Sequence, residues 1–143
     1  MRSTIFIMPA NMIWAFSLLF IFALSACQAE TPDYPEREVP KGVLDDKEQQ
    51  AAGQTLFSQK CASCHGKPSE GRSARAQFFE PPAADFTETH YRQVDPSYLF
   101  WRIETGKTVE PYLSQGSVMP AWSPYLSSQQ IWQLVAYLKS RSE

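Results

Sequence analysis

Residues 61–65 read CASCH, the only point in the chain where two cysteines stand three residues apart. On one turn of helix, the side chains of Cys61, Cys64 and His65 lie close enough to hold the same object. Three objects fit this arrangement: a disulfide, a metal ion or a larger cofactor. The choice constrains the fold, because a chain of 143 residues has room for one small domain with a thin core.

The N-terminal 26 residues predict a secretory signal. Arg2 is followed by an uncharged apolar run from residue 12 to residue 26. Residues 24–27, LSAC, resemble a bacterial lipobox, so we expect Cys27 to be lipidated and to become the new N-terminus. An uncleaved anchor helix and ordinary soluble export are the alternatives. All three place residues 28–143 outside the cytoplasm, in a bacterial cell envelope.

Residues 27–44 are predicted to form a flexible tether to a domain that spans residues 45–143. The segment has three prolines and few apolar side chains, a composition typical of a semi-extended linker. The alternative is that it lies along the surface of the domain.

Three helices are predicted within this domain. They run from Asp45 or Asp46 to about Lys60, from Asp95 to about Gly106, and from Ser127 onward. Acidic side chains open the first helix, an Asp-Pro pair opens the second, and a capping box opens the third. Because no alternating strand pattern occurs, the predicted fold class is all-α, with three to five short helices and long loops.

CASCH is best explained by a cofactor. A redox-active disulfide usually accompanies a βαβ pattern, which this chain lacks. A zinc site needs three or four ligands, and lipidation of Cys27 leaves only Cys61, Cys64, His65 and His90. The spacing therefore favours one covalently attached haem c, with Cys61 and Cys64 bonded to the vinyl groups and His65 bound to the iron.

Met119 is the predicted sixth ligand of the iron. It is the only methionine left after removal of the signal, and Pro120 favours an extended backbone at Met119. An unbranched thioether on an extended loop can reach an iron; a gap-filling core residue is the alternative. His90 is the competing ligand, but it lies in the polar run DFTETHYRQ and is predicted to be at the surface.

These residues resemble those of class I c-type cytochromes of the small bacterial kind, over roughly residues 46–140. The shared features are Gly53, Phe57, CASCH at 61–65, PPAADF at 81–86, MPAW at 119–122 and AYLK at 136–139. The resemblance implies a cytochrome c fold, in which short helices and long loops wrap around one covalently bound haem. It also implies that the first and last helices cross where Gly53 and Phe57 meet Trp132 or Tyr137.

The resemblance further implies details of the haem pocket. The carbonyl of Pro81 or Pro82 would accept the Nδ1–H of His65 and so fix the orientation of the ring. Candidates for the pocket wall are Tyr98, Trp101 and Trp122. Ordinary core packing is the alternative for each of these three.

A haem whose iron binds both His65 and Met119 has no place for a small-molecule substrate. The sequence therefore predicts an electron-transfer protein and not an enzyme: a lipid-tethered carrier that passes single electrons between redox protein partners on the periplasmic side of a membrane. A fixed subunit of a larger oxidoreductase complex is one alternative. A peroxidase-like haem enzyme or sensor with a displaceable sixth ligand is the other.

Charge limits the choice of partner. The net charge is −2 and no dense basic tract occurs, so a nucleic-acid partner finds no support. Four basic residues do surround the haem motif: Lys60, Lys67, Arg72 and Arg75. This basic rim could steer an acidic partner, and an ordinary solvated surface is the alternative.

Overall fold

The computed structural model describes residues 33–110 and 112–142. These residues form four α-helices and two 3₁₀ helices, and no strand occurs among them. The α-helices are α1 (Lys47–Lys60), α2 (Ala62–His65), α3 (Pro96–Thr105) and α4 (Ser128–Arg141). The 3₁₀ helices span Ala74–Phe78 and Thr89–Arg92. The predicted all-α fold class is confirmed.

Each of the three predicted helices begins at the residue that directly follows its predicted N-cap. The Asp46 carboxylate accepts the backbone N–H groups of Glu48 and Gln49 at the start of α1. Asp95 caps α3 through the N–H of Ser97. The capping box that opens α4 is complete, because the Ser127 hydroxyl accepts the Gln130 N–H while the Gln130 side chain accepts the Ser127 N–H.

Helices α1 and α4 cross with almost no space between their backbones. A Cβ atom added to Gly53 would lie 1.9 Å from the carbonyl oxygen of Gln133, so only glycine allows this approach. One turn further, the ring centroids of Phe57 and Tyr137 are 5.2 Å apart. The predicted crossing is therefore present, with Tyr137 as the aromatic partner.

Trp132 lies on a different face of α4. Its ring packs on Phe100 of α3, with centroids 4.6 Å apart. Five residues separate Trp132 from Tyr137, which corresponds to a rotation of about 140° around a helix with 3.6 residues per turn. One side chain can therefore face α1 while the other faces α3.

Residues 34–44 pack against the domain, the arrangement given above as the alternative to a flexible tether. The Tyr34 hydroxyl donates to the Asp95 carboxylate at 2.6 Å, and its ring stacks on Trp101 with centroids 5.9 Å apart. Arg37 forms an ion pair with Glu104 at 2.5 Å. One aromatic ring and one guanidinium thus attach a proline-rich segment to α3. Residues 1–32, with the predicted signal and Cys27, lie outside the described residues.

Within residues 33–110 and 112–142, none of the helices combines the length and the apolar character that crossing a bilayer requires.

Candidate cofactor site

The CASCH motif forms a helical turn directly after α1. The backbone N–H groups of Cys64 and His65 both donate to the Cys61 carbonyl, at 3.1 and 3.0 Å. Cys61 and Cys64 are free thiols. Burial, with a smaller contribution from Cys64, raises the pKa of Cys61 to about 12, so this thiol is protonated at neutral pH. A neutral, partly buried thiol does not fit a reactive redox cysteine.

The described residues also offer no metal centre made of protein ligands alone. No group of three or more His, Cys, Asp or Glu side chains converges within residues 33–110 and 112–142. The zinc alternative therefore finds no support in this part of the chain.

Cys61, Cys64 and His65 open onto one cavity with mostly apolar walls. The walls come from α1, α3, α4, the loop that follows the first 3₁₀ helix and the loop that follows α3. Apolar residues of the wall include Phe57, Pro81, Pro82, Phe86, Leu99, Ile103, Val118, Pro120, Leu134 and Leu138. A large apolar cofactor would thus contact every long element of the domain.

His65 is held by a hydrogen bond from Nδ1 to the carbonyl oxygen of Ala84, at 2.9 Å. The predicted acceptors, Pro81 and Pro82, line the cavity but do not make this bond. The sequence located the correct loop, but the direction of each carbonyl depends on backbone angles that the PPAADF pattern does not reveal. A carbonyl can only accept, so Nδ1 carries the proton and Nε2 has a free lone pair.

The environment of His65 keeps the imidazole neutral. Burial lowers its pKa, the hydrogen bond to Ala84 opposes this effect, and the positive charges of Arg141 and Lys107 lower the pKa further. A neutral imidazole whose Nδ1–H is bound to a carbonyl is the form in which histidine binds a metal through Nε2.

Met119 lines the same cavity as His65. Its backbone is fixed by the Lys107 N–H, which donates to the Met119 carbonyl at 3.0 Å. The missing side chain at Gly106 lets the backbone of the Met119 loop come this close to the end of α3. A Cβ atom at Gly106 would lie 2.5 Å from the Met119 carbonyl oxygen. Sequence reasoning treated Gly106 only as the end of a helix. The structure also gives it a role in docking the methionine loop.

Two of the three residues predicted for the pocket wall line the cavity. Tyr98 and Trp122 line the cavity, whereas Trp101 does not and stacks on Tyr34 instead. The proposal of Trp101 as a pocket wall is wrong, because its ring is turned toward the segment that covers α3. His90 is exposed, as predicted, and its Nδ1 lies 3.3 Å from Glu88.

The basic rim lies at the surface. Lys60, Lys67, Arg72 and Arg75 are all exposed. Arg72 lies 3.5 Å from Glu88, so one of the four charges is partly neutralised within the chain.

Arg102 is a site residue that sequence reasoning missed. It lines the cavity and is only 6% exposed. Nη1 donates to the Gly106 carbonyl at 3.2 Å, but Nε and Nη2 have no hydrogen-bond partner among the described residues. Its guanidinium lies over the ring of Trp101, 4.0 Å from the centroid. The sequence feature that could have indicated Arg102 is an arginine inside the apolar run YLFWRI of a predicted helix.

The unpaired donors of Arg102 indicate what kind of cofactor the cavity suits. A buried cation with unpaired donors is costly unless an anion meets it. Lys107 also lines the cavity, and burial lowers its pKa. Haem has a flat apolar body, two vinyl groups that react with thiols, and two carboxylates. The apolar walls, the paired cysteines and the two cations fit these three parts, so the residues present suit haem.

The fold and this cavity together define the class of the protein: it is a class I c-type cytochrome. Comparison with family models narrows the class. The model described as "Cytochrome C oxidase, cbb3-type, subunit III" matches residues 48–138, and the chain belongs to this family. Membership implies a haem c electron-transfer component.

Curated relatives agree with this family. Two sequences named "Cbb3-type cytochrome c oxidase subunit CcoP", both from Rhodobacter capsulatus, are each 30% identical to this chain over 106 residues. The match covers 69% of this chain and 31% of each relative. The chain therefore spans about a third of the length of the curated relatives it matches.

Proposed function

We propose that the protein is a monohaem cytochrome that carries single electrons, with His65 and Met119 as the axial ligands of its iron. The observation that supports this most directly is that a neutral His65 and the predicted ligand Met119 line one cavity with both thiols of CASCH. When bound, haem supplies an iron that alternates between the ferric and ferrous states.

The chain's own residues hold the site rigid. The hydrogen bond from His65 to Ala84 fixes the plane of the imidazole. The Lys107 N–H and the close contact at Gly106 fix the loop that carries Met119. Cys61 and Cys64, on one turn, are spaced to attach the cofactor covalently. Ligands that move little between two oxidation states keep the reorganisation energy of electron transfer low.

The partners follow from the family. We propose that the electrons pass between this domain and other redox proteins of a terminal oxidase system, because the relatives are named as subunits of a cbb3-type oxidase. The protein is then either a subunit of such a complex or a carrier that serves it. A lipid anchor at Cys27 and a periplasmic location belong to the same proposal.

Carbon monoxide distinguishes this function from the enzyme or sensor alternative. The experiment uses full-length protein, matured in a host that attaches haem c, and follows a reductive titration and carbon monoxide binding by absorbance. We expect a single one-electron transition and no rapid binding of carbon monoxide. Rapid binding by the wild-type protein would show an accessible iron and favour the peroxidase-like alternative.

A further inference from the structure

Arg141, the last residue of α4, is bound to the loop that follows His65. Nη2 donates to the carbonyl oxygens of Lys67 and Glu70 at 2.8 and 2.5 Å, and to that of His65 at 3.4 Å. Nη1 donates to the Gly66 carbonyl at 3.3 Å. One side chain at the end of α4 thus contacts the carbonyl of His65 and three carbonyls of the loop that follows it.

These contacts complete the hydrogen bonding of the haem motif. The last carbonyls of a helix have no partner within it and need donors from elsewhere. The Ser73 hydroxyl lies 2.8 and 3.0 Å from the carbonyls of Ser63 and Cys64. Arg141 donates to the carbonyls of the next three residues, 65 to 67. Every carbonyl from residue 63 to residue 67 therefore has a donor, and Arg141 provides three of them.

The guanidinium is also held from its other side. It lies over the ring of Phe57, 4.7 Å from the centroid, and Phe57 is almost completely buried between α1 and α4. The ring centroids of Phe57 and His65 are 6.4 Å apart. Backbone carbonyls and an aromatic ring carry no net charge, so these contacts leave a full positive charge beside the histidine.

We propose that Arg141 is a positioning residue of the haem site, which fixes the loop behind His65 and holds a positive charge there that raises the midpoint potential of the iron. This inference rests on the proposed function. A fixed cation disfavours the additional positive charge of ferric iron, and therefore favours the ferrous state. The four hydrogen bonds keep both the cation and the backbone of His65 in place.

The test compares haem-loaded full-length wild-type protein with Arg141→Gln, Arg141→Lys and Lys139→Gln. Lys139 is the matched control, because it is a cation of the same helical turn that also donates to backbone carbonyls, those of Arg92 and Val94. The two readouts are the midpoint potential and the hydrogen–deuterium exchange of residues 62–73 measured by mass spectrometry.

We expect Arg141→Gln to lower the midpoint potential and to accelerate exchange in residues 62–73 about tenfold or more, because hydrogen bonds from a charged donor are lost. Arg141→Lys should recover most of the potential while exchange stays fast, since the charge remains but the planar fork is gone. Lys139→Gln should change neither the midpoint potential nor the exchange of residues 62–73. If Arg141→Gln does not accumulate, the Arg141→Lys variant must still show fast exchange.

Unchanged exchange in residues 62–73 in the Arg141 variants would overturn the positioning role. A potential that falls equally in Lys139→Gln would show that any cation on this turn has the same effect, and would overturn the specific role of Arg141. Both results leave the proposed function intact. A wild-type protein that matures without haem would overturn the proposed function as well.

Discussion

The Nδ1–H of His65 donates to the Ala84 carbonyl across 2.9 Å, between residues that lie nineteen positions apart in the chain. This bond joins the CASCH turn to the loop of residues 81–86, which lines the same cavity. It leaves Nε2 as the only nitrogen of the ring available to a metal. The backbone carbonyl of Ala84 thus determines the orientation of the ring and which of its two nitrogens stays available to a metal.

The first prediction concerns covalent attachment. Cys61→Ala or Cys64→Ala should weaken or abolish the haem-stained band on a denaturing gel, because in the proposed site each thiol forms one bond to the cofactor. Ser63→Ala is a suitable control, as Ser63 lies between them and is exposed. Metal analysis that finds zinc and no iron in natively matured protein would contradict covalent haem.

The second prediction concerns Met119. Met119→Ala should remove the weak red absorption band of sulfur-bound ferric haem, lower the midpoint potential and allow carbon monoxide or cyanide to bind. Met119→His should keep two axial ligands and still lower the potential, because imidazole stabilises ferric iron better than a thioether does. Potentiometry with absorbance detection measures both variants.

His90→Ala is the control for Met119, because His90 is the other histidine of the chain and is exposed. It should leave the band, the potential and ligand binding unchanged. A spectral change in His90→Ala, with none in Met119→Ala, would mean that Met119 is not the sixth ligand.

The third prediction concerns Arg102. In Arg102→Leu, a cofactor carboxylate buried without its cation would destabilise the holoprotein by about 3–5 kcal/mol. The midpoint potential should fall, because the lost cation no longer disfavours ferric iron. Arg37→Gln is the control: Arg37 forms a partly buried ion pair with Glu104 and does not line the cavity, so its loss should leave the midpoint potential unchanged. Chemical unfolding and potentiometry measure the two effects.

The potential of Arg102→Leu should also depend on pH. As the pH falls, the unpaired carboxylate takes up a proton, the negative charge near the iron disappears, and the potential rises toward the wild-type value. A variant with the wild-type potential at every pH would show that Arg102 does not face the carboxylates.

The fourth prediction concerns the helix crossing. Gly53→Ala should lower the free energy of unfolding by about 1–3 kcal/mol or more, because its Cβ atom would overlap the backbone of α4 and push the helices apart. Gln54→Ala, at the next and exposed position of α1, should change stability little. Thermal unfolding of the haem-loaded proteins provides the measurement. Equal stability of both variants would mean that the helices separate at no cost.

The fifth prediction concerns the lipid anchor. Cys27→Ser should prevent acylation and leave the signal uncleaved by the lipoprotein route. Membrane fractionation and mass spectrometry of the N-terminus would detect this change. A Cys27→Ser protein that is processed and membrane-bound like the wild type would exclude the lipobox.

Several features were predictable because they depend on neighbours in the chain. The capping residues Asp46, Asp95 and Ser127 bond to N–H groups two or three residues away, so the three helix starts could be read from the sequence. The CASCH turn is equally local, since both of its hydrogen bonds end on Cys61. The close crossing at Gly53 could be inferred only because the residues resemble those of a known family.

Other features depend on distant parts of the chain. The sequence by itself determined the all-α fold class, the helix starts and the paired thiols with their histidine. Only the tertiary structure decided that Ala84 and not a proline holds His65, that Tyr34 attaches the proline-rich segment to α3, and that Arg102 faces the cavity. The physical reason is that carbonyl direction and side-chain burial depend on which elements pack together, and these contacts join residues far apart in the chain.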